Sequence, residues 1–193
     1  MARPREFDEQ QALLKAMHLF WQKGYEATSI SDLTAAMGIQ RPSLYGTFGD
    51  KEELFHAALR KYADLSLVYI GSKLRAAPSA REAVRLYLLG ITNNEDGKHP
   101  EWGCLCVNTL TEMAARNASL AQFTSEFQWR LSELLRETIQ EGISSGELSD
   151  ELNAASVASA LTISAVGISV MMKAQPDRNV VEGAIEQLVH LLK

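Results

Sequence analysis

The chain has little cysteine, little proline and almost no strand-like alternation, and each shortage excludes something. Its two cysteines, Cys104 and Cys106, have a single residue between them, too close for a disulfide framework. Stability must therefore come from a packed core, and a reducing cytoplasm is the expected location. Five prolines in 193 residues leave room for many uninterrupted helices. Residues 1–9 carry charges of both signs and no apolar centre, so they do not read as a signal peptide. No GxSxG, HExxH or P-loop pattern occurs, nor a convincing pair of carboxylates. An enzyme is thus unsupported: no catalytic residue, metal or cofactor is nominated. Internal repeats and low-complexity segments are absent too.

Only one stretch, residues 154–172, runs uncharged for 19 residues, long enough to be weighed as a membrane helix. Its alanines, Thr162 and four serines (Ser156, Ser159, Ser164, Ser169) make it weakly apolar. It reads as a buried packing helix, and no membrane partner is expected.

What is present is a hydrophobic share of 46%, enough for a substantial core, and an uneven charge. The net charge of −5 argues at first against nucleic acid. Yet residues 1–62 hold eight basic and eight acidic side chains, whereas residues 63–193 hold eleven and sixteen. The acid belongs to the second part, and a neutral head can still be steered to phosphate by locally placed cations.

Helical periodicity covers almost the whole chain. A first helix is expected over 8–23, with Leu13, Met17 and Phe20 on one stripe and Gly24 as its stop. A second covers 30–37, with Ser29 and Asp32 as an acidic capping box, and ends at Gly38. A third runs over 41–48 with Pro42 in its first turn. Asp50 and Glu53 then cap a fourth, which runs toward residue 74. Further helices are expected over 80–92, 103–116, 119–144 and from 154 to 172, with a ninth after Pro176. On the seventh the expected stripe is Leu120, Phe123, Phe127, Leu131 and Leu134; on the ninth it is Val181, Ile185, Leu188 and Leu192. Residues 93–100 form a polar loop. The fold class is all-α, with a helix-turn-helix domain at 1–62 and a second helical domain at 63–193.

The informative stretch is TSISDLTAAMGIQRPSLYGTFGDKEEL, residues 28–54. Two short helices with a glycine between them fit either a core hairpin with a solvated face or a DNA-binding helix-turn-helix at about 29–48. In the second case residues 41–48 are the recognition helix. Gln40, Arg41, Ser43, Tyr45 and Thr47 are all hydrogen-bonding types, and residues 39–48 contain no acid. Arg41 could grip guanine or phosphate; Tyr45, Thr47 and Lys51 suit phosphate oxygens; Thr28 and Ser29 stand at a helix N-terminus that favours phosphate. Arg3 and Arg5 form either a basic arm or a loose terminus.

The series Gly24-Tyr25, Thr28-Ser29, Ile30, Asp32-Leu33, Ala36, Gly38-Ile39, Leu44-Tyr45, Phe48, Asp50-Lys51 and Leu54 resembles the N-terminal domain of TetR/AcrR transcriptional regulators, without a gap over residues 7–62. The resemblance implies phosphate contacts at Thr28, Tyr45 and Lys51, and positions facing bases or the groove at Gln40, Arg41, Ser43 and Gly46; Pro42 belongs to the same DNA-binding set. Gln40 departs from the serine or other capping residue common there, which weakens the cap. The resemblance also implies a homodimer on double-stranded operator DNA, and a repressor released by a small-molecule or reactive effector bound to its C-terminal part.

In that part the eighth and ninth helices carry apolar seams. Ala158, Leu161, Ala165, Ile168, Ile185 and Leu188 either face a second subunit or are satisfied within one. Tyr87, Trp102, Phe123, Phe127, Trp129 and Met171, with Cys104, either line an effector pocket or simply fill the core. Gly103-Cys104-Leu105 is similar to a TetR-type subgroup that includes electrophile and redox sensors. With a helix starting at Gly103, Cys104 would lie in a first turn that favours the thiolate; otherwise it is a small buried apolar residue. Geometry disfavours a metal on His99, Cys104 and Cys106, because residues i and i+2 point about 200° apart on a helix. His18, His56 and His190 stand alone. A helical interaction protein without DNA affinity is the third alternative.

Overall fold

A computed structural model describes residues 7–93 and 99–192. Arg3, Arg5 and residues 94–98 of the polar loop lie outside the described residues. Among the described residues the chain is all helix, with nine α-helices, one 3-10 turn and no strand. It divides into two compact units, residues 1–65 and 66–193.

In the first unit, α1 (Glu9–Lys23), α2 (Ile30–Met37), α3 (Arg41–Phe48) and the start of α4 (Lys51–Ala76) follow the expected order. The ends are set by explicit cap chemistry. Asp8 stands outside α1, where its carboxylate accepts from the N–H of Gln10 and Gln11 at 2.9 and 3.2 Å. Both halves of the Ser29–Asp32 capping box form, each at 3.0 Å. The Asp50–Glu53 box forms too, at 3.0 and 2.9 Å. Gly38 ends α2 in the left-handed region, φ 72°, which turns the chain toward α3. Leu33, Met37, Ile39 and Leu44 are buried at that turn. The core behind them is aromatic: Phe20 meets Phe55 edge-on at 4.9 Å, Tyr25 meets Phe55 at 4.9 Å, and Trp21 meets Tyr62 at 4.9 Å.

The second unit contains the rest of α4, then α5 (Ala80–Asn93), the 3-10 turn Pro100–Trp102, α6 (Leu105–Met113), α7 (Ala118–Ser144), α8 (Ala154–Met172) and α9 (Arg178–His190). Helix α8 packs along α7, and α5 packs on α9. The buried line of α7 is Leu120, Thr124, Phe127, Leu131, Leu135 and Ile139, one position round from the expected stripe at Thr124 and Leu135. On α9, Val189 takes the buried place expected for Leu188, which is half-buried.

The seam proposed for a subunit interface is used inside the chain. Ala158, Leu161, Ala165, Ile168 and Ile185 are at most 9% exposed, so they pack within the chain rather than forming its outer face. The reason is that α8 is apolar on both sides, and its regular four–three seam is the side that meets α7. Its opposite side is uncharged as well: Ile163 is 73% and Met171 54% exposed. The window of mean hydropathy 1.8 that makes α8 span-like reflects these two faces together. Its hydroxyls are folded back on the helix, Ser159, Thr162 and Ser164 each donating to the carbonyl four residues before at 2.9 Å.

Candidate functional site

The exposed surface of α3 follows from one buried anchor. Leu44 is fully buried. At 100° per residue, Arg41 and Tyr45 then lie on one flank, Ser43 and Thr47 on the other, and Pro42 and Gly46 on the outermost line, about 160° from Leu44. Arg41, Pro42, Tyr45 and Gly46 are exposed, Ser43 and Thr47 half-buried. The helix starts at Arg41 with Gln40 as its N-cap, but the Gln40 side chain makes no cap bond, so its exposed amide is not committed to the helix end.

The nearest acids are already engaged. Asp50 and Glu53 cap each other's backbone. Hydrogen bonds from the Ser29 N–H and hydroxyl hold Asp32 below the usual carboxylate range against a small opposing effect of burial, and Lys23 lies 3.4 Å away. Lys51 opens α4 with its ammonium 4.3 Å from the centre of the Tyr25 ring. Tyr25 itself is held above the ordinary phenol range, first by burial and then by Glu52, Asp50 and Glu26, so this ring stays neutral beneath the cation. Tyr25 is the seat of Lys51, a role the sequence did not disclose. At the other end of α3, Phe48 meets Phe7, ring centres 6.4 Å apart.

Thr28 is a correction. It is 1% exposed and its hydroxyl donates to the Gly24 carbonyl at 2.6 Å. It braces the turn before α2 and has no free reach toward a phosphate. Ser29 is exposed, but its hydroxyl is committed to Asp32, donating at 2.8 Å and accepting at 3.0 Å.

In the second unit the aromatic set divides. Phe127 is buried, and Tyr87, Trp102, Cys104 and Phe123 are half-buried. Trp129 is 64% and Met171 54% exposed, so neither lines an interior pocket of this chain. Trp129 lies two residues past Phe127, about 200° round α7, and Met171 precedes the buried Met172 by one position. Burial holds the Tyr87 hydroxyl protonated far above the phenol range, and the negative charge that Cys104 can carry adds to this, placing the two side chains within electrostatic reach.

Cys104 is the N-cap of α6 rather than a residue of its first turn, because Gly103 has φ 63° and cannot belong to the helix. A Cβ at Gly103 would come within 3.0 Å of the Ser169 carbonyl, so the chain is pressed against α8 there. Buried Asn108 donates to the Trp102 carbonyl at 2.8 Å and accepts from the Lys173 ammonium at 3.0 Å. His99 stacks on Trp102 at 4.2 Å and contacts Glu101 at 3.0 Å. Cys106 is buried, and among the described residues no three His, Cys, Asp or Glu side chains could hold a metal. An open groove of about 410 Å³, with Arg81, Arg85, Glu147 and Glu186 in its walls, contains none of the residues expected around an effector.

Residues 12–58 match the family described as bacterial regulatory proteins, tetR family, and residues 83–188 match the tetracyclin repressor-like C-terminal domain. The chain is 39% identical to the HTH-type transcriptional repressor ComR of Escherichia coli (strain K12), over 62% of this chain and 57% of that protein. It is 30% identical to the HTH-type transcriptional regulator YezE of Bacillus subtilis (strain 168), over 78% of each. Among solved structures, a cysteine-substituted form of the TetR family regulator CifR, complexed with 26-bp double-strand operator DNA, shares 33% identity over the full length of both chains with a TM-score of 0.85. The matches cover both units, and they make the chain a DNA-binding transcriptional regulator that belongs to the TetR family.

Proposed function

We propose that the protein is a homodimeric repressor that holds operator DNA through α3 and releases it when an effector engages the second unit. The acid-free exposed face of α3, anchored by Leu44, carries the DNA half of this proposal. Gln40, Arg41 and Ser43 are suited to base edges, while Tyr45, Thr47 and Lys51 are suited to phosphates. The operator-bound state of CifR and the repressor name of ComR support the same partner and sign here.

A second copy of the chain would cover the uncharged outer face of α8 and α9. Ile163, Val180 and Leu191 are 73%, 65% and 70% exposed there, and Gly167 and Gly183 allow close helix approach. A dimer of this kind presents two α3 helices to successive major-groove faces of a near-palindrome. The effector acts around Tyr87, Trp102 and Cys104. For a reactive effector such as an enone or maleimide, the Cys104 sulfur adds to the β-carbon and the thiol proton ends on the α-carbon. Occupancy favours the conformer that does not fit the operator.

The test uses a duplex that the protein selects from a randomised pool, followed by fluorescence anisotropy. Wild type should bind it with steep salt dependence and release it on treatment with N-ethylmaleimide; Cys106→Ser should behave alike. Release that persists in Cys104→Ser removes the thiol route. Failure to prefer any selected duplex over a scrambled one removes the DNA proposal.

A further inference from the structure

We infer that Gly46 is the point of closest approach to DNA, and that its missing side chain is a specificity determinant of the operator complex. This deepens the proposed role of α3 and rests on it.

The glycines on either side of α3 are explained by the fold. Gly38 and Gly49 have φ of 72° and 77°, and a Cβ at Gly49 would lie 1.8 Å from the Glu53 carboxylate. Gly46 is different. It lies inside α3 without a left-handed φ, and a Cβ built on it meets nothing within 4 Å. Glycine inside a helix is less stable than alanine, and α3 has only eight residues over which to absorb that loss. The free chain therefore gains nothing from this glycine, and its reason lies outside the chain.

Position supplies the reason. Gly46 and Pro42 form the outermost line of α3, opposite Leu44, and neither extends a side chain far beyond the backbone. Hydrogen-bonding side chains project on both flanks, Arg41 and Tyr45 on one and Ser43 and Thr47 on the other. A bare ridge between reaching flanks suits a groove hardly wider than the helix. The major groove is about 12 Å wide, and a helix with its side chains is about 10–12 Å across. A side chain at position 46 would meet the base edges on the groove floor and hold α3 outward, shortening the reach of both flanks.

The experiment compares wild type, Gly46→Ala, Gly46→Leu and Arg41→Ala on the duplex selected by wild type and on its scrambled counterpart. Gly46→Ala should raise the thermal midpoint by roughly 2–4 °C, which also reports that it folds. It should nevertheless lose about tenfold or more in affinity for the selected duplex, and Gly46→Leu should lose more. Affinity for the scrambled duplex should stay within about twofold of wild type, because without matching base edges α3 is not drawn to the groove floor. The inference is overturned if Gly46→Ala binds the selected duplex within about twofold of wild type, or loses both duplexes alike. Loss in Arg41→Ala with none in Gly46→Ala removes this inference and leaves the role of α3 standing. Undiminished binding by Arg41→Ala removes both.

Discussion

Replacing Ile163 by aspartate should split the dimer without unfolding the chain. Ile163 is 73% exposed on α8, so the free subunit scarcely depends on it. Fully burying an isoleucine side chain is worth about 1.5–3 kcal/mol, and the exposed share here corresponds to about 1–2 kcal/mol. A two-fold interface contains the residue twice, which brings the loss to about 2–4 kcal/mol, or roughly 30- to 700-fold in the dissociation constant. Two carboxylates placed against an uncharged face add to this. Sedimentation velocity across a concentration series reads the shift directly, and far-UV circular dichroism checks that the helices persist. Ile168→Asp is the contrasting control: Ile168 is 9% exposed and belongs to the intrachain core, so this variant should lose its fold. An Ile163→Asp protein that stays dimeric at the lowest concentrations would refute the assignment of the subunit interface to the outer face of α8.

Leu44→Ala should cost about 2–5 kcal/mol, because Leu44 is fully buried beneath α3; thermal denaturation of the first unit measures it. Thr28→Val should destabilise by about 1 kcal/mol through loss of the hydroxyl bond to Gly24, yet leave the salt slope of DNA binding unchanged, since that hydroxyl is not a phosphate contact. Glu147→Ala should lower the thermal midpoint, because the Glu147 carboxylate caps α5 by accepting from the N–H of Ala80 and Arg81 at 2.7 and 2.9 Å. Burial alone would raise the pKa of Glu147, but hydrogen bonds from Arg81, Ala80 and Ser79 and the Arg81 charge outweigh it and hold the carboxyl below its ordinary 4.5. A depressed carboxyl stabilises the fold above its unfolded pKa and loses that contribution as pH falls. Wild type and Glu147→Ala should therefore differ at neutral pH, and the difference should shrink in melting curves as pH falls below the ordinary carboxyl value and through the depressed one.

The first unit was largely legible because its element ends are written in side chains. Ser29 with Asp32, Asp50 with Glu53, and Gly38 announce where α2 and α4 begin and where α2 stops, and each forms the bonds its type implies. What the sequence concealed was direction. Thr28 and Ser29 are adjacent hydroxyls at one helix start, but the turn at Gly24 draws one inward and leaves the other at the surface. In α8 the periodicity marks an apolar seam without saying which of two apolar faces the chain keeps for itself; Ile163 and Val170, β-branched residues off that seam, were the available sign of the second face, and the structure leaves them exposed. Trp129 is apolar enough for the core, but it lies about 200° round α7 from the buried Phe127, which places it at the surface. For Cys104 the difference is two positions: a helix starting at Gly103 would put it inside the first turn, whereas the left-handed Gly103 leaves it as the N-cap.

The central claim is that α3 reads DNA, and the affinity of an Arg41→Ala, Tyr45→Ala double variant for the selected duplex tests it most directly. Both side chains are exposed on one flank and neither belongs to the core, so the variant should keep its helical fold, which far-UV circular dichroism checks. The account predicts a loss of about a hundredfold or more for that duplex and a shallower salt dependence. Wild-type affinity in a folded double variant would contradict it.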